Sequence, residues 1–292
     1  MTTPPALLLV GHGAHDDDEA EALRSLLFEL GRRNPELPVT GGFGEQSPPL
    51  SGVITELAEA GATQVVALPL TLNPAGDATG ALEDALAREE ARHEDARYSC
   101  AHPLGPEPAL LDVLELRLDE ALGGSARTPA DRTATTVLLV GPGTGDPAVN
   151  AELHRAARLL WEGRGYGGVE TAFVSHAAPD VASGLDRCRA LGARRVVVLP
   201  YFLFPGARPE RIRLQSQGWA AVHPETEVVC ADVIGSGAAL AELVEERYRE
   251  AVERASAGHC DACGARVPRQ RGRAVVHAPG DGTADGGHAH AR

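Results

Sequence analysis

Apolar runs of strand length, each ending in glycine or proline, alternate along this chain with segments of helical period. The runs near 6–10, 38–43, 64–70 and 97–101 read as buried strands. The stretches near 17–33, 49–60, 78–92 and 107–122 repeat their apolar positions every three to four residues and read as helices. Such alternation predicts a parallel sheet covered by helices.

From Gly123 the pattern lapses. Residues 123–134 are rich in turn formers and lack a period, as a linker would. The order then restarts. Val137-Leu-Leu-Val-Gly-Pro-Gly143 echoes Leu7-Leu-Leu-Val-Gly-His-Gly13, and Gly192-Ala-Arg-Arg-Val-Val-Val-Leu-Pro200 echoes Gly61-Ala-Thr-Gln-Val-Val-Ala-Leu-Pro69. The offsets are 130 and 131 positions, so the two halves keep register and an internal duplication is expected. The predicted architecture is α/β, with two tandem doubly wound parallel-sheet domains. Residues 1–122 form an N-terminal domain carrying the site, 135–254 a C-terminal domain, and 255–292 a flexible tail. Pro142 stands where the first half has His12. A proline side chain offers no ligand, so the chemistry of His12 is expected once per chain.

Composition narrows the class. The 292 residues suffice for two cores, and with 43% hydrophobic but only 4% aromatic residues those cores must be aliphatic. The formal charge of -14 argues against nucleic acid and anionic membrane surfaces as partners. The first apolar run, Ala6 to Val10, lacks a basic flank and a cleavage site, and no run approaches the roughly 20 residues that span a bilayer. A cytoplasmic protein, monomer or homodimer, is expected. Five cysteines make no disulfide framework. Cys100, Cys188 and Cys230 sit among aliphatic residues and read as packing thiols. Cys260-Asp-Ala-Cys263, beside His259 and ahead of a His-bearing end, is half of a tetrahedral site. It is a candidate for a metal or iron–sulfur centre, the alternative being a flexible tail without one.

Three groups are candidates for chemistry. Gly11-His12-Gly13 follows a strand at the carboxyl edge, where open α/β sheets bind ligands. Asp77, after the third strand, and Glu45, after the second, belong to loops that open on the same edge. His12 and Asp77 together suit a divalent first-row metal or the removal of a proton. Each has a plainer reading: a solvated turn histidine, a helix N-cap and a loop carboxylate. His15 and the acidic run after it favour a helix N-terminus through its dipole.

On these residues the chain resembles the long-form class II sirohydrochlorin chelatases of cobalamin and siroheme synthesis. The likeness rests on Gly11 to Gly13, Gly41-Gly-Phe43 with Glu45 and Ser47-Pro-Pro, His102-Pro-Leu-Gly-Pro106, Ala156 to Tyr166, Val169 to Ser175, Arg195 to Phe204, and the CxxC tail. It implies ATP-independent insertion of cobalt, iron or nickel into a tetrapyrrole. His12 matches the first of two histidines that hold the metal and help remove the pyrrole protons. Asp77 occupies the place of the second, Thr79 and Ala81 replace a usual lysine and aspartate, and His15 stands where arginine is common. On this reading Gly11 and Gly13 approach the substrate, His12 and Asp77 bind metal, Glu45 assists proton transfer, and Cys260 and Cys263 deliver metal. A polyanionic substrate needs a basic wall in an acidic protein, and Arg208, Arg211 and Arg213 are the candidates. Two alternatives stay open: a divergent non-catalytic paralog that binds tetrapyrrole or metal, and a metal-handling protein whose tail is the working part.

Overall fold

The structure is a computed structural model that describes residues 4–11, 17–43, 50–73, 77–92, 96–124 and 128–256. The first half contains β1 (Ala6–Gly11), α1 (Asp17–Arg33), β2 (Val39–Phe43), α2 (Leu50–Glu59), β3 (Gln64–Pro69), α3 (Asp77–Arg92), β4 (Arg97–Cys100) and α4 (Pro108–Ala121). The short helix α5 (Pro129–Thr133) follows. The second half contains β5 (Thr135–Gly141), α6 (Pro147–Trp161), β6 (Gly168–Phe173), α7 (Val181–Ala190), β7 (Arg195–Pro200), α8 (Ala207–Val222), β8 (Glu227–Cys230) and α9 (Ala238–Ser256). All strand pairings in both four-stranded sheets are parallel, in the orders β2-β1-β3-β4 and β6-β5-β7-β8. The duplication expected from the 130-residue echo is thus present strand for strand.

Parallel strands bury both faces, which is why they read as unbroken apolar runs. Leu8, Val10, Val65 and Ala67 face α2 and α3, packing on Val53, Ile54, Leu57, Leu82 and Leu86. Leu138, Val140, Val196 and Val198 do the same against α7 and α8. The opposite faces, Leu7, Leu9, Val66 and Leu68 in one sheet and Val137, Leu139, Val197 and Leu199 in the other, belong to one continuous core shared by the two halves.

The halves trade their last helices to close that core. Helix α4 packs on β7 of the second sheet, and α9 packs on β3 and β4 of the first and against α1. Polar contacts fix the exchange. Arg117 donates from Nε and Nη2 to the carbonyl of Ile234 at 3.1 and 2.7 Å. Arg33 pairs with Glu245 at 2.8 Å, and the Tyr248 hydroxyl donates to the Pro5 carbonyl at 2.6 Å. Glu115 on α4 takes both Arg132 and Arg164.

Within the stretch read as an aperiodic linker, α5 forms one helical turn. It is held by a reciprocal capping box between Thr128 and Asp131, a local device that leaves no hydrophobic period. The three packing thiols behave as expected. Cys188 is fully buried and its pKa is pushed up to about 12, mainly by desolvation. Cys100 and Cys230, related by the repeat, are half-buried and donate to the carbonyls of Ala101 and Ala231.

Candidate functional site at the carboxyl edges

Register levels the ends of the first three strands. Gly11 pairs with Phe43 across β1 and β2, Val10 pairs with Pro69 across β1 and β3, and the Leu70 amide donates to the Val10 carbonyl at 2.8 Å. The chain therefore enters the His12, Glu45 and Asp77 loops from neighbouring points on one edge. His12, Gly13 and Glu45 lie outside the described residues. Asp77 opens α3, but its side chain also lies outside them, as do Cys260 and Cys263. Gly11 is described and buried. A β-carbon there would come within 2.4 Å of the Phe43 ring, so the residue before His12 is glycine for want of space.

The second sheet presents the same edge with different residues. After β5, Gly143 has φ +74°, and a β-carbon on it would stand 1.9 Å from the Ser175 carbonyl oxygen. The Ser175 amide and hydroxyl both donate to the Pro142 carbonyl, at 3.2 and 3.0 Å. After β7, α8 carries Arg208 and Arg211, both exposed and without a carboxylate partner among the described residues. Arg213 differs, because Glu210 accepts its Nε at 2.7 Å. Arg208 stands 131 positions beyond Asp77, the offset that relates Gly192 to Gly61, so a guanidinium occupies in the second half the place of the carboxylate in the first.

The two edges meet. The Tyr201 hydroxyl donates to the Leu72 carbonyl at 3.4 Å, and Asn73 shares a small cavity with Pro142, Gly143, Thr144, Phe173 and Tyr201. The Asn73 Oδ1 is buried there without a hydrogen-bond partner among the described residues. A loop that leads to α3 and Asp77 is thereby seated on the counterpart of the His12 loop. His102, after β4, has its pKa lowered by burial first and by Arg254 and Arg247 second. Among the described residues no group of three or more His, Cys, Asp or Glu side chains converges as a metal site. Nor is any helix among them long and apolar enough to cross a membrane.

A family model, CbiX, matches residues 6–121 and again 136–251. The chain belongs to the CbiX family. The double match repeats at the interval read from the sequence echo, and it ends in α4 and α9, the two exchanged helices. Among curated proteins this family member is 32% identical over 261 residues to the sirohydrochlorin cobaltochelatase of Priestia megaterium, covering 88% of this chain and 83% of that one. It is 29% identical over 212 residues to the sirohydrochlorin ferrochelatase of the same organism, covering 71% of this chain and 76% of that one. Among solved structures, SirB from Bacillus subtilis with Fe3+ superposes with a TM-score of 0.73 at 22% identity. That match covers 87% of this chain and 98% of that one and establishes a shared fold.

Sequence reading did not single out Ser175, His176 or Asn73. The repeat could have found the first two, since they stand 130 positions beyond Glu45 and Gln46.

Proposed function

We propose that this chain inserts a divalent cation, cobalt, iron or nickel, into sirohydrochlorin without ATP, in cobalamin or siroheme synthesis. The observation that carries the reading is the nearly end-to-end likeness to the Priestia megaterium cobaltochelatase. The metal is a substrate. As it enters, two pyrrole N–H protons must leave, so the site needs a metal donor and a proton acceptor close together. His12 is the imidazole donor and Asp77 the second ligand. A histidine–carboxylate pair suits all three metals, because geometry and availability decide among them as much as donor type. Glu45 accepts a proton. Gly11 and Gly13 let the backbone approach the macrocycle, and Arg208 and Arg211, which spend their charge on no carboxylate of their own among the described residues, take substrate carboxylates.

Cys260 and Cys263 hold a metal ion or a cluster and raise its local supply. The protein acts as a monomer or homodimer in the cytoplasm, with neither nucleic acid nor membrane taking part.

The test is anaerobic absorbance of sirohydrochlorin with each metal. Acceleration over the uncatalysed rate that His12→Ala abolishes is expected. Tight tetrapyrrole binding without acceleration would sink the chelatase reading and favour a non-catalytic binder, the outcome to which Asp77 in place of a second histidine would lead. Activity unchanged in His12→Ala would remove His12 from the site. Removing everything after Ala255 should slow turnover only at limiting metal, and full activity there would eliminate delivery by the tail.

A further inference from the structure

His176 is the only non-glycine residue with positive φ among the described residues, at +56°. A side chain in the left-handed region costs free energy, and such residues persist where the surrounding structure forces them. Here the surroundings do so. Val174 and Ser175 are bound by their amides to the carbonyls of Gly141 and Pro142, and the Ala177 amide returns to the Ser175 carbonyl at 2.7 Å. Asp180 then accepts the Ser183 amide to start α7, and Gly143 closes on Ser175 with no room for a side chain. The loop is pinned on both sides of His176, while His176 itself is exposed. Gly143, which abuts Ser175, and the strand end Phe173 line the same cavity as Asn73, so the loop that carries His176 borders the junction with the first half.

We propose that His176 is a substrate-binding residue, by which the second half donates a hydrogen bond from imidazole to a side-chain carboxylate of the tetrapyrrole. This rests on the tetrapyrrole reading above. The rim of the second sheet would then grip the macrocycle's periphery from two strands. His176 follows β6 and Arg208 follows β7, on either side of the Pro142–Gly143 turn after β5. Imidazole is a donor at one ring nitrogen when neutral and at both when charged, so the role does not depend on its protonation state. Because its backbone is already held in one conformation, the loop itself need not be ordered on binding.

The experiment is titration of the full-length protein with metal-free sirohydrochlorin under anaerobic conditions, read by absorbance, for wild type, His176→Gly and His176→Asn. Glycine removes the ring and relieves the backbone, so the variant should melt no lower than wild type yet bind about tenfold more weakly, the scale of one charge-assisted hydrogen bond. Asparagine tolerates the left-handed region and keeps a donor, so it should recover part of that loss. Equal binding by wild type and His176→Gly overturns the inference, as does weak binding that tracks a lowered melting temperature in both variants. Wild type that binds sirohydrochlorin but fails to metallate it overturns the chelatase reading and leaves the comparison of variants intact. Wild type that binds none overturns both.

Discussion

Replacing Leu26 by alanine removes a fully buried side chain from α1, where it packs in the shared core with Leu23, Leu30 and Phe43. A leucine deleted from so enclosed a position costs about 3 kcal/mol. With a guanidinium dependence of roughly 5 kcal/mol/M for a chain of this size, the midpoint should fall by about 0.6 M. The informative question is which half reports it. Both tryptophans, Trp161 and Trp219, lie in the second half, so tryptophan fluorescence sees that half alone while far-ultraviolet circular dichroism sees both. Because α9 covers the first sheet and α4 the second, neither half has a complete core of its own. The tryptophan transition should therefore move with the dichroism transition, by the same amount, although Leu26 lies on α1 of the first half. If fluorescence holds its wild-type midpoint while dichroism splits into two steps, the halves fold independently and the reasoning from helix exchange fails.

Gly143→Ala must place a β-carbon in a left-handed residue, costing roughly 1–2 kcal/mol, and against the Ser175 carbonyl. It should lower stability and weaken sirohydrochlorin binding more than the change at the surface of that loop would suggest, measured by melting and titration together. Cys188 and Cys230, with pKa values raised to about 12 and about 11 chiefly by desolvation, carry almost no thiolate at pH 8. A thiol-reactive disulfide should label them slowly in the native protein and rapidly in denaturant. His102 binds its proton less readily folded than unfolded, because burial and then Arg254 and Arg247 disfavour the charged ring. Its contribution is therefore complete above the ordinary value of 6.5 and is lost as pH falls below it. Denaturant midpoints of His102→Gln should decline less steeply than wild type on the acid side of pH 6.5.

The strands were legible because burial on both faces turns them into plain apolar runs, as in Leu7 to Val10 and Val196 to Leu199. The helices were legible from their stripes. Which sheet each stripe covers was not. The apolar positions of α4, Leu110, Leu111, Leu114 and Leu118, say only that one face is buried, and nothing local distinguishes packing on β4 from packing on β7. Helix α5 escaped because five residues joined by a capping box carry no period. Parallel topology alone brings to one edge the strand ends that lead into the His12, Glu45 and Asp77 loops. His176 was missed for a different reason. Its distinction is a backbone angle, which composition does not encode.

Across the three loop positions the two halves carry different residue types. In the sequence the first half has His12, Glu45 and Asp77 after its first three strands, residue types suited to a cation or a proton. At the positions of His12, Glu45 and Asp77 the second half holds Pro142, Ser175 and Arg208, a spacer, a hydroxyl and a cation, while His176 stands where the first half has Gln46. A duplicated sheet with two equivalent edges could in principle have kept two copies of one site. On the proposed function, the substitutions would leave metal binding and proton transfer to the first half and carboxylate binding to the second. A tetrapyrrole has those same two requirements, pyrrole N–H groups that must lose protons at its centre and acids at its rim. The net charge of -14 makes the second requirement the harder one to meet, and exposed arginines left without a carboxylate partner among the described residues are where an acidic protein can meet it.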